Sequence, residues 1–121
     1  MNVKYTKDHE WVKLEGDNAY VGITAFASEQ LGDIVFIDIN TVGETLEKEE
    51  VFGTIEAVKT VSDMFLPIGG EILEFNEDLE SNPALINTDP MGAGWIIKIK
   101  PTNLAEFEEL LSEEQYNELI G

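Results

Sequence analysis

Apolar and polar positions alternate in short runs along most of this chain, and that period of two predicts β-strands. Trp11-Val12-Lys13-Leu14 and Ala19-Tyr20-Val21-Gly22-Ile23 flank Glu15-Gly16-Asp17-Asn18, whose residues suit a hairpin turn. Ile34 to Ile39 is the strongest strand, followed by a turn near Val42-Gly43-Glu44. Val51 to Asp63 is rich in Val, Ile, Thr and Phe and also reads as strand, Pro67-Ile68-Gly69-Gly70 interrupts, and Glu71 to Phe75 resumes. Trp95 to Lys100 predicts a last strand with Trp95, Ile97 and Ile99 inward, stopped by Pro101. Short strands at such regular spacing predict a mainly β sandwich or barrel.

The helical period enters at few places. Thr24 is placed to cap a short helix over Ala25 to Leu31, closed by Gly32. Asn82 before Pro83 reads as a cap and first helical position. Beyond Thr102, Leu104, Phe107, Leu110 and Leu111 recur at helical spacing, and Ser112-Glu113-Glu114-Gln115 has capping-box form ahead of Tyr116, Leu119 and Ile120. Two short acidic helices should therefore pack against the sheet. Gly43-Glu44 recurs as Gly70-Glu71, each with a Leu two residues on, a short match that hints at two similar halves.

One residue breaks the pattern. Lys59 is a lone cation in Val51-Phe52-Gly53-Thr54-Ile55-Glu56-Ala57-Val58-Lys59-Thr60-Val61-Ser62-Asp63, and Lys48 is the only other positive side chain between Lys13 and Lys98. On a strand period it shares a face with Ile55, Ala57 and Val61, which looks like a core face. A buried ammonium without a partner is too costly to keep. Either the chain turns near Val58-Lys59 and lifts the lysine out, or the lysine sits in a pocket. The ordinary alternative is a solvated edge lysine that discourages strand pairing. Turn chemistry does not decide, because the tip lacks the Gly, Asn, Asp or Pro of a tight turn.

Composition narrows the function. At 121 residues and 43% hydrophobic the chain can bury one core and is too short for two ordinary domains. A formal charge of −18, with seven lysines and no arginine, argues against nucleic acid and anionic membrane, and favours partners with basic docking surfaces. Without cysteine there is no disulfide, thiolate metal site or cysteine nucleophile, so thiol chemistry would have to arrive on a cofactor. Met1-Asn2-Val3-Lys4-Tyr5 has neither an apolar signal core nor an arginine-rich pattern, and no apolar run reaches spanning length. A soluble, cytoplasmic protein is expected. The single histidine, His9, has no evident nucleophile to serve and is expected to be structural or solvated. No phosphate loop, calcium loop or zinc ligand set is present in the sequence.

Glu56-Ala57-Val58-Lys59-Thr60-Val61-Ser62-Asp63, with Gly43 sixteen positions before the lysine and Gly70 eleven after it, resembles the attachment segment of lipoyl domains. Tyr5-Thr6-Lys7-Asp8-His9-Glu10-Trp11, Val21-Gly22-Ile23-Thr24, Leu31-Gly32-Asp33-Ile34-Val35, Asn82-Pro83, Leu85-Ile86-Asn87 and Gly94 to Pro101 are more narrowly similar to the H-protein family of the glycine cleavage system. The resemblance spans nearly the whole chain in order. It implies a lipoyl-type flattened β-barrel or sandwich with short peripheral helices. The whole chain, 1–121, would be one carrier domain, with a core of about 3–101 and a C-terminal helical extension of about 102–121.

The resemblance further implies lipoate in amide linkage on Lys59, making a swinging arm. The arm would take an aminomethyl group from a pyridoxal-phosphate glycine decarboxylase (P protein). It would then pass the one-carbon unit to tetrahydrofolate through an aminomethyltransferase (T protein), and be reoxidised by a flavin-dependent dihydrolipoamide dehydrogenase (L protein). A lipoate-attaching enzyme would load it, with Glu56 in the recognised hairpin, and the carrier would be a monomer without catalysis of its own. Asp8, Glu10 and Asp63 match positions at which the family lines a cleft for the loaded arm. Two positions depart from the family's frequent pattern: Gln30 stands where His is common, and Ala57 where Ser is common.

Other readings compete. A biotin carrier is the nearest, although Val58 and Thr60 stand where methionines would flank its lysine. An enzyme using Lys59 as a Schiff-base amine would need an enclosed apolar pocket to keep the amine neutral, which Glu56 and Asp63 disfavour. An H-like carrier serving lipoate relay or stress signalling has the same sequence features.

Overall fold

The computed structural model describes residues 3–121; Met1 and Asn2 of the N-terminal stretch read above lie outside them. Among the described residues nine strands form two antiparallel sheets. The larger contains β1 (Val3–Tyr5), β2 (Glu10–Glu15), β3 (Asn18–Ile23), β5 (Thr45–Leu46), β8 (Gly70–Phe75) and β9 (Ile97–Pro101), in the order β1-β2-β3-β9-β8-β5. The smaller is β4 (Ile34–Asp38), β6 (Val51–Ala57) and β7 (Val61–Phe65), in the order β4-β6-β7. Their facing sides close a flattened, lipoyl-type sandwich over Val12, Val21, Ile34, Ile37, Phe52, Ile55, Met64, Leu66, Ile72, Ile97 and Ile99, all buried. Each such aliphatic side chain contributes about 1.5–3 kcal/mol of transfer free energy.

The larger sheet is covered on both sides where β2 crosses it. Val12 faces the main core, while Trp11, 1% exposed, packs into a second cluster with Tyr5 and Tyr116. Gly22, opposite Trp11 in the β2–β3 register, leaves room for the indole, since a Cβ there would lie 2.7 Å from the ring. The indole N–H donates to the Pro90 carbonyl at 3.0 Å. Tyr116 comes from α5 (Glu113–Ile120), whose Ser112 and Gln115 form the capping box expected from sequence. The short α4 (Ala105–Glu108) precedes it and buries Phe107.

The two Gly-Glu segments meet. β5 pairs with β8 through Thr45 opposite Glu71 and Leu46 opposite Gly70, and the Gly43 N–H donates to the Ile72 carbonyl at 2.8 Å. Two details differ from the sequence expectations. Asn82 ends α2 (Asp78–Ser81) as its C-cap, and the next helix, α3 (Leu85–Thr88), starts after an Asn82-Pro83-Ala84 turn without a side-chain cap. Trp95 precedes β9 and is half-buried, edge-on to Tyr20 at 5.0 Å, because its ring belongs to the second cluster. Among the described residues no helix is long and apolar enough to cross a membrane.

Candidate functional site

After a register shift between Val51 and Gly53, the strand β6 buries alternate positions, Gly53, Ile55 and Ala57, and the alternation stops at Ala57. The next four residues, Val58 to Val61, are all exposed. The chain reverses there: Glu56 pairs with Val61, and the Ala57 N–H donates to the Thr60 carbonyl at 2.8 Å, leaving Val58-Lys59 as the tip. Lys59 is thus lifted out of the core face that strand periodicity assigns it, and Val61, on the same face, is 61% exposed. Among the described residues the two ion pairs are Lys4–Glu108 and Lys48–Glu109, so the Lys59 ammonium is free of carboxylate partners. A solvated, unpaired amine at a tip is available for acylation, and it lacks the enclosed apolar pocket that a Schiff-base lysine requires.

The tip is tied to the loop after α1 (Ala25–Leu31). The Val58 N–H donates to the Asp33 carbonyl at 3.0 Å. Gly32, at φ +84°, ends α1 with its N–H on the Ser28 carbonyl, and the lysine stem crosses its bare face: a Cβ built there would be 3.3 Å from Lys59 Cε. Thr24 caps the other end of α1 as expected, accepting from the Ala27 N–H. Leu31, next to Gly32, lines a cleft of about 450 Å³.

Asp8, Glu10 and Asp63 all border this cleft, together with Phe26, Gln30 and Phe65. A smaller hollow of about 250 Å³ shares Asp8 and Glu10, but its walls include Lys48, Glu49 and Leu111 and not Leu31, the neighbour of Lys59's seat. Asp8 and Asp63 are exposed, whereas Glu10 is 5% exposed and already bonded. Its Oε2 accepts from the Phe65 N–H and its Oε1 from the Thr6 hydroxyl, each at 3.1 Å. Burial pushes its carboxyl up to about 7, against the lowering by those two bonds, and the Asp8 and Glu49 charges raise it further. Glu56 is exposed on β6, between Phe36 of β4 and Val61 of β7.

His9 has a structural place. At φ 68° it sits in the left-handed region, its ring packs on Phe26 at 4.6 Å, and Nδ1 lies 2.9 Å from the Tyr116 hydroxyl. The same hydroxyl is 2.7 Å from Thr24 Oγ1, so α5 is bolted to the cleft wall through one tyrosine. Sequence periodicity does not announce Tyr116 or Gly32 as parts of the site, because their roles depend on contacts between elements distant in the chain.

A family model described as glycine cleavage H-protein matches residues 3–121. The chain is 63% identical over 120 residues to the glycine cleavage system H protein of Bacteroides fragilis, covering 99% of this chain and 95% of that one. It is 49% identical over 115 residues to the protein of the same name from Halothermothrix orenii, covering 95% and 90%. The crystal structure of a glycine cleavage system H protein from Mycobacterium marinum superposes with a TM-score of 0.89 at 42% identity, covering 99% of this chain and 97% of that one. The chain therefore belongs to the glycine cleavage H-protein family, the non-catalytic lipoyl carriers of the glycine cleavage system.

Proposed function

We propose that Lys59 is the residue that bears the lipoyl group, and that residues 1–121 work as one cytoplasmic, monomeric carrier domain. The observation behind it is the exposed, unpaired amine at the β6–β7 tip, seated beside the cleft. Only a long primary amine gives both a stable amide and reach. Its partners are the decarboxylase, the aminomethyltransferase, the dihydrolipoamide dehydrogenase and an attaching enzyme that recognises Glu56 with the tip. Bound lipoate supplies the dithiol chemistry that a cysteine-free chain lacks. Intact-mass and peptide mass spectrometry of protein from a lipoylating host test the reading. A single lipoyl increment on Lys59 is expected; a biotin increment, or modification elsewhere with Lys59 free, overturns it. In a lipoylation assay with the purified attaching enzyme, Glu56→Ala is expected to be modified more slowly with an unchanged circular dichroism spectrum. Equal rates would make Glu56 a solvated charge only.

The cleft suits a long apolar chain ending in a cation. Phe26, Leu31 and Phe65 offer apolar walls, and Asp8, Glu10 and Asp63 offer carboxylates to an ammonium cargo. Exposed ion pairs contribute about 0–1 kcal/mol, whereas hydrogen bonds to charged groups in a partly enclosed site reach about 1.5–3 kcal/mol. Glu10 therefore holds the cargo more strongly than Asp8 or Asp63, and an arriving ammonium favours its ionised form. Glu10→Ala and Asp63→Ala proteins, lipoylated and loaded with the aminomethyl cargo, are expected to lose it to water faster than the parent. If both retain it as long, shielding comes from the apolar walls alone.

A further inference from the structure

The geometry points to Asn87 as a positioning residue for Lys59. Its carboxamide lies between two backbone groups of the α1–β4 connection: Oδ1 accepts from the Ile34 N–H at 3.0 Å and Nδ2 donates to the Gly32 carbonyl at 2.9 Å. Only this orientation of the amide satisfies both, since an N–H needs an acceptor and a carbonyl a donor. The side chain thus closes the loop Gly32-Asp33-Ile34 as a neighbouring strand would, from a four-residue helix more than fifty positions away. Asp33, held between the two clamped residues, presents the carbonyl that receives the Val58 N–H at 3.0 Å. Gly32 presents the bare surface under the Lys59 stem, and its φ of +84° suits glycine over other residues.

The tip needs such support. Val58-Lys59 has no glycine, asparagine, aspartate or proline to specify a reversal, and Val58 is 71% exposed, so side-chain burial does little to hold it. The Asp33–Val58 bond is one of the few fixed links of the tip to the rest of the molecule, and Asn87 sets the position of that link. This inference rests on Lys59 being the residue that is modified. If the tip holds its presenting conformation only part of the time, an enzyme that recognises that conformation binds more weakly in proportion to the fraction. Losing the net worth of a hydrogen bond corresponds to about tenfold in such an opening equilibrium.

The test compares the parent with Asn87→Ala and with Asn87→Asp, which keeps the acceptor for Ile34 and loses the donor to Gly32. Two readouts are taken well below the melting temperature: amide hydrogen exchange by NMR on the unlipoylated proteins, and steady-state lipoylation by purified attaching enzyme with the carrier as varied substrate. Asn87→Ala is expected to lose about tenfold protection at Val58 while the β2 and β3 amides keep theirs, and to raise KM for the carrier, with kcat retained, by the factor by which the closed fraction reported by exchange falls. Asn87→Asp should lie on the same side, and it alone decides if the alanine protein does not fold. Unchanged Val58 exchange, or a KM that departs from the closed fraction that exchange reports, overturns the positioning role and leaves Asn87 as a loop staple. Failure of the underlying reading looks different: the parent itself would not be modified on Lys59, while the exchange data would still report on the clamp.

Discussion

Lys59→Arg protein made in a lipoylating host is expected to carry no lipoyl group, to support no glycine cleavage when reconstituted with its partner enzymes, and to melt within a degree or two of the parent. Arginine keeps the charge and most of the length, but its guanidinium stays protonated and offers no free amine to acylate. The folded state should barely register the change. Lys59 makes no ion pair among the described residues, it is exposed, and its stem lies over Gly32. Exposed substitutions of this kind stay within about 0.5 kcal/mol. Intact mass, thermal melting and glycine-dependent carbon dioxide exchange check the three parts. A lipoyl increment on the variant, which has six other lysines to offer, would place the arm elsewhere.

The second large effect concerns pH. Glu10 has its carboxyl held up to about 7 from an ordinary value of 4.5, chiefly by burial. Between those values the folded protein binds more protons than the unfolded chain, so the stability that Glu10 contributes falls as pH rises through this window and is lowest above it. At about 1.4 kcal/mol per pH unit, the ionised form costs on the order of 3 kcal/mol at pH 8 relative to pH 4.5. Self-repulsion in a chain of formal charge −18 acts in the same direction. The comparison with Glu10→Gln separates the two, because the amide retains the shape and an acceptor for Phe65 but cannot ionise. Urea unfolding at pH 5 and pH 8 should show the parent losing more stability than the variant, by about 2.5 kcal/mol. Parallel pH profiles would mean that Glu10 ionises without cost, as a solvated carboxylate does. The same property fits the proposed role in the cleft: a carboxylate that is costly to ionise alone gains most when an ammonium arrives.

The sequence by itself determined most of the local elements, because their signals lie within a few neighbouring residues. The β2–β3 hairpin, the Thr24 cap and Gly32 stop of α1, and the Ser112–Gln115 capping box all form at the predicted places. Composition also excluded thiol chemistry by the chain itself, and Lys59 stood out as a lone cation where a strand should bury it. The tertiary structure decided what that anomaly means. Period two places Lys59 and Val61 inward, and only the pairing of Glu56 with Val61, with the Val58 amide held by Asp33, shows that the chain has already turned. Asn82 reads as a helix start from its own neighbours, yet the preceding α2 claims it as an end. Glu10 is one acidic residue among twenty-five in the sequence, and apart from the family resemblance of its motif nothing in its neighbours distinguishes it. It is buried where β7 meets it, with the Phe65 N–H reaching it from 55 residues away. Asn87, Gly32 and Tyr116 join the site in the same manner. Turns, caps and alternation depend on short-range backbone sterics and hydrogen bonds that a few residues encode, whereas desolvation of a carboxylate, a seat for a lysine stem and a clamp on a loop exist only once distant segments exclude water between them.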